Sequence, residues 1–189
     1  MSPAHLFGYP RINGQQQSKR ILVTAHDLFY QEGIHATGID RVIAASGVTK
    51  VIFYRHFPSK HALILAFLAY RHRRWMDWFV DALHRHGSGL KALVPALAEW
   101  LRHEDFRGCA FINSAGELGD TLPEVKDISG RHKQDMTAVI AALLPASRQR
   151  DRNAQAIAVA VDGAIIRAQW DASPEKALQA LSRILKTLC

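Results

Sequence analysis

The chain has 189 residues, with 24 Lys and Arg, 17 Asp and Glu, and 48% apolar residues, enough for one domain or a small module joined to a larger one. No window approaches eighteen uncharged apolar residues, which excludes a helical membrane span, and residues 1–17 carry no apolar leader core, so secretion is not expected. Cys109 and Cys189 lie far apart and make no metal or redox spacing, so a reducing, cytoplasmic setting is expected.

Charge is unevenly spread. Residues 1–86 hold 11 basic and 5 acidic side chains and eight of the ten histidines, whereas the remainder is almost neutral. A basic end joined to a neutral body is the footprint of a chain that meets a polyanion at one end.

In chain order, residues 1–17 contain Pro3, Gly8, Pro10, Gly14 and a Gln run and read as a flexible arm. Ile21, Leu22, Ala25, Leu28 and Phe29 then mark one face of a helix that ends at Gly33. A short helix over about 40–46 follows, then Gly47, then a third helix that Thr49 caps and that ends near Phe57. Pro58 blocks its continuation, and Ser59 caps a long helix over about 60–86. Further helices are expected over 90–104, 106–119, 123–144, 153–170 and 174–188, with Gly130 weakening the third of these. No alternating β-branched pattern appears. The fold class is therefore all-α, with about nine helices.

Two short helices across a glycine turn, preceded by a third, form a helix-turn-helix, the shape that places one helix in the DNA major groove. Ile39, Val42, Val48, Phe53 and Phe57 are expected to make its core. The second helix presents Thr49, Lys50, Val51, Ile52, Tyr54, Arg55 and His56. Lys50, Arg55, His56 and Lys60 suit phosphates, as do the hydroxyls of Thr37, Thr49 and Tyr54. A tight helical hairpin with ordinary surface charges would show much of the same pattern.

Residues 21–68, and most specifically the run GVTKVIFYRHFPSKHAL, resemble the DNA-binding domain of the TetR family of bacterial regulators. The resemblance implies a homodimer on a near-palindromic operator, with Thr49, Lys50 and Tyr54 at groove or phosphate positions and Lys60 at a phosphate position. Many members have alanine at Ile43 and glycine at Val51. Val51 and Ile52 put aliphatic side chains where thymine methyls lie, so the operator does not follow from the family. The segment RGCAFINSAGEL, residues 107–118, resembles one branch of such regulators and suggests a regulatory domain.

The expected organisation is an arm over 1–17, a DNA-binding domain over 18–64, and a helical ligand-binding and dimerisation domain over 65–189. Trp75, Trp78, Phe79, Trp100, Phe106, Phe111 and Trp170 are the large aromatics of that body; core packing accounts for them singly, and together they suit an apolar pocket with His103, Asn113 and Glu117 as polar groups. Ala154, Ala158, Val161, Ile165 and Ala168, with Leu181 and Leu185, form stripes suited to a dimer interface or to packing within the chain. The expected function is a ligand-responsive repressor with operator DNA, a second copy and a small molecule as partners. Neither a cofactor nor a metal is expected, and no HExxH, P-loop or dinucleotide signature supports an enzyme.

Overall fold

A computed structural model describes residues 14–87 and 89–188. Its described residues are helical throughout, with no strand, and divide into two compact units at the bond between Phe67 and Leu68. Among the described residues no helix is long and apolar enough to cross a membrane.

The first unit is built from α1 (Gly14–Glu32), α2 (Ile39–Ser46), α3 (Lys50–His56) and the start of α4 (Lys60–Arg85). Helix α1 begins earlier than the apolar periodicity, so residues 14–17 are helical, although they read as arm in the sequence. The rest of that arm lies outside the described residues. Ile21, Ala25 and Phe29 on α1 bury one face against α2 and α3. Val42, Phe53 and Phe57 join this core as expected, whereas Ile39 and Val48 reach only half burial.

Local chemistry sets the boundaries. Gly47 sits at φ 62° between α2 and α3, a left-handed conformation that a Cβ disfavours. Thr49 Oγ1 accepts from the Ile52 amide at 3.3 Å and opens α3. Phe57, which precedes Pro58, is extended and ends it. Ser59 Oγ then accepts from the Ala62 amide at 3.0 Å and opens α4.

The second unit contains the rest of α4, a 3-10 turn (Leu90–Ala92), α5 (Leu93–Leu101), α6 (Ala110–Leu118), α7 (Pro123–Ala142), α8 (Arg150–Trp170) and α9 (Glu175–Leu188). Helix α7 packs on α6 and α8, and α9 packs on α8 and α5. The single helix expected over 90–104 is instead a 3-10 turn followed by a shorter α-helix. Helix α6 starts four residues later than the pattern suggested, because Gly108 turns the chain at φ 85°. A Cβ there would meet the terminal amide of the Gln169 side chain, which would have to swing aside. Gly130 is accommodated within α7 without a break.

Candidate nucleic-acid interface

Helix α3 has two faces. Phe53 and Phe57 turn inward, with ring centroids 6.2 Å apart, and Ile52 is half-buried. Lys50, Val51, Tyr54 and Arg55 turn outward. Val51 is 70% exposed, and the Tyr54 ring rests edge-on against Phe53, which limits the orientations open to its phenol. The Lys50 ammonium lies 3.7 Å from the Asp40 carboxylate, with both side chains largely in solvent, so screening leaves the lysine available to another anion.

Three sequence-nominated positions differ from their expected roles. Thr37 is fully buried, and its hydroxyl donates to the Gly33 carbonyl at 2.8 Å. It pins the loop between α1 and α2 and is not presented to a phosphate. Lys60 donates to the Ile34 carbonyl at 2.6 Å, so one of its N–H groups also holds that loop. His56 is half-buried with its Nε2 enclosed, and the edge of its ring faces Gly14 at the start of α1.

A positioning residue escaped the sequence reading. Arg20 on α1 donates to the Gly47 carbonyl at 3.0 Å and ties the first helix to the turn that sets the angle of α3. Its only sequence signal was a basic residue on the solvent side of an amphipathic helix. An ion pair between Arg41 and Glu32 adds a second tie between α2 and α1.

In the second unit the structure gathers part of the nominated aromatic set. Trp75 stacks on Phe79 at 4.7 Å, meets Trp100 edge-on at 5.5 Å and lies 6.0 Å from Trp78, while Trp100 meets Phe106 at 5.3 Å. These rings fill space against one another. The indole N–H of Trp75 is buried and makes no hydrogen bond among the described residues.

His132, absent from the nominated set, lies at the heart of this cluster. It stacks on Phe111 at 3.7 Å, meets Trp75 edge-on at 5.1 Å, and places Nδ1 3.1 Å from Nδ1 of His72. Burial foremost, then the charges of Lys133, His72 and Arg71, pushes its pKa down to about 2, so its ring is neutral. The readable signal was the buried stripe of α7, formed by Val125, Ser129, His132, Met136 and Ile140.

Other nominated pocket residues lie elsewhere. His103 is exposed and accepts from the Asp105 amide. Asn113 donates to the Arg107 carbonyl and accepts from Gln169, which makes it part of the α6–α8 junction. Glu117 is half-buried on α6. Trp170 is 75% exposed at the end of α8, away from the ring contacts that Trp75 and Trp100 make. Among the described residues no group of three or more His, Cys, Asp or Glu side chains is arranged to hold a metal.

The nominated dimer stripe also needs correction. Ala154, Ala158, Val161, Ile165, Leu181 and Leu185 are all buried inside the single chain, and Ala168 is half-buried. These small residues let α8 approach α7 and α9 of its own chain. The outward stripe of α8 runs instead through Val159, Gly163, Ile166 and Trp170.

Residues 21–67 match the sequence model of bacterial regulatory proteins of the tetR family. The transcriptional activator FasR of Mycolicibacterium smegmatis is 29% identical over 101 residues, covering 50% of this chain and 44% of that protein. The transcriptional regulator RutR of Escherichia coli K12 is 33% identical over 86 residues, covering 46% of this chain and 38% of RutR. The matches thus span less than half of these curated relatives. Among solved structures, SCO4454, a TetR-family transcriptional regulator from Streptomyces coelicolor, superposes with a TM-score of 0.81 at 28% identity, over 93% of this chain and 97% of that one. A cysteine mutant of the TetR-family regulator CifR, solved with a 26-base-pair operator, shares the fold with a TM-score of 0.74 at 20% identity, over 88% of this chain and 94% of CifR.

Proposed function

We propose that this chain is a bacterial transcriptional regulator of the TetR family, with the helix-turn-helix DNA-binding domain of that family over residues 21–67. It binds a near-palindromic operator as a homodimer, represses by occupying the promoter, and is released by a small molecule. It acts in the cytoplasm, where the DNA is, and is not an enzyme.

The observation that carries this reading is the outward face of α3. A short, well-capped helix presents Lys50, Tyr54 and Arg55 in solvent while its other face anchors it to α1. Cationic and hydroxyl groups there suit phosphates and groove edges. Thr49 stands at the N-cap, where its backbone and hydroxyl lie close to any phosphate approaching the start of α3. Thr37 and Lys60 contribute by holding the supporting loop.

Homodimerisation is assigned to the outer faces of α8 and α9. Val159, Gly163, Ile166 and Trp170 recur along one side of α8, and Ile184 is exposed on α9. A second copy would cover these apolar groups through an isologous contact, with Gly163 allowing close approach.

The ligand is assigned to the aromatic cluster of Trp75, Trp78, Phe79, Trp100 and Phe111. The unpaired Trp75 N–H supports this, since a buried donor without a partner favours an acceptor group on a ligand. Because the rings pack together, the ligand must displace one, and half-buried Trp78 or Trp100 moves at the smaller cost. Helix α4 has residues in both units and is the natural carrier of such a displacement.

Activation is a second reading, favoured by the likeness to FasR, an activator. Selection of bound duplexes from a random-sequence library tests the DNA reading. Enrichment of an inverted repeat supports it, and failure to enrich any sequence contradicts it. A reporter carrying the enriched repeat then separates repression from activation by the sign of its change when the regulator is deleted.

A further inference from the structure

Within residues 14–67 the structure exposes two large apolar side chains, Val51 and Tyr54, and both stand on α3, three residues apart and therefore on one face. One exposed valine is ordinary on a protein surface. This pair is flanked by the cationic Lys50 and Arg55, which suits a polyanionic partner. The Val51 side chain has no hydrogen-bonding atom and can recognise only an apolar feature of that partner. On base edges in the DNA major groove, that feature is the 5-methyl group of thymine.

We propose that Val51 reads a thymine methyl in each operator half-site. The assignment rests on α3 being the DNA-contacting helix. It separates Val51 from Ile52: the latter is half-buried against the unit's own core, whereas Val51 stands clear at the second position of α3, in the N-terminal part of the helix, from which base edges are reached. Tyr54 and Arg55, one turn further on, flank the same spot. Because Val51 senses a methyl group and no hydrogen-bonding edge, 5-methylcytosine at that position satisfies it as thymine does, while uracil and unmodified cytosine do not.

The probe is the duplex that the wild-type protein enriches from a random library, with each thymine replaced in turn by deoxyuridine, which deletes only the methyl group. One thymine per half-site is expected to show weakened binding of about three- to fivefold, the effect of uncovering one methyl, and about tenfold or more when both half-sites are changed. Val51→Ala should weaken binding to the thymine duplex by a similar factor and show no further loss with deoxyuridine. Val51 is exposed and alanine favours helices, so the variant remains folded. Equal binding of every deoxyuridine duplex by the wild-type protein would overturn the proposal, as would a Val51→Ala protein that keeps the wild-type sensitivity. If no duplex is enriched, the DNA-binding reading itself fails; an enriched duplex indifferent to deoxyuridine removes only the role of Val51.

Discussion

His132 shows how one side chain can set the pH behaviour of the second unit. With Phe111 against its face and His72 against its edge, its imidazole is buried away from solvent that would stabilise a charge. Its folded pKa, about 2, lies below the unfolded value of 6.5. Above pH 6.5 both states are neutral there, and the full stability is present. Below pH 6.5 the unfolded chain takes up a proton that the folded chain refuses, so stability falls by about 1.4 kcal/mol per pH unit toward the folded pKa. Urea unfolding at pH 7.5 and pH 5.0 should show this loss in the wild-type protein, and His132→Gln should show a clearly smaller difference between the two pH values. Equal pH dependence in both proteins would mean that His132 is not held neutral.

At the scale of elements, glycines with left-handed backbone carry unequal weight. Gly47 lies in open space at φ 62°, so Gly47→Ala should cost about 1 kcal/mol from backbone strain alone. Gly108→Ala must also swing the Gln169 amide aside, which gives up its hydrogen bond to the Arg107 carbonyl, and should cost more. Removing the obstacle, by making Gly108→Ala in a Gln169→Ala background, should bring its cost down toward that of Gly47→Ala. Denaturant midpoints of the four variants measure this, and equal costs in both backgrounds would disprove the contact. The same elements show what a sequence discloses. Thr49, Pro58 and Ser59 act on their own chain neighbours, so the limits of α3 and the start of α4 were legible without tertiary information. Thr37 and Lys60 were not, because only the packed loop decides whether a hydroxyl or ammonium meets water or a carbonyl. The small-residue stripe of α8 was legible as a covered face, but periodicity cannot say which chain covers it. His132 lay on an equally readable stripe of α7, where its polar identity concealed its burial.

For the whole molecule, the division of α8 into two faces yields opposite expectations for two kinds of charged substitution. Ala158→Arg forces a charge into the packed interior and should unfold or aggregate the chain. Val159→Asp or Trp170→Asp places a charge on an outward position and should leave helical content and unfolding midpoint nearly unchanged while shifting sedimentation from dimer to monomer. Monomers of these variants should bind the enriched duplex far more weakly, because the second half-site no longer adds to the first. A Trp170→Asp protein that still sediments as a dimer would place the interface elsewhere.

The central claim is that the outward face of α3 grips DNA, and the salt dependence of binding tests it most directly. Anisotropy titrations of the enriched duplex over a range of salt concentrations would compare the wild-type protein with Lys50→Ala and Arg55→Ala, both exposed positions whose truncation leaves the core intact. Each substitution should weaken binding and reduce the slope of log K against log salt by about one unit for every phosphate that is no longer neutralised. An unchanged slope and affinity in both variants would contradict the assignment of α3 as the DNA-binding face.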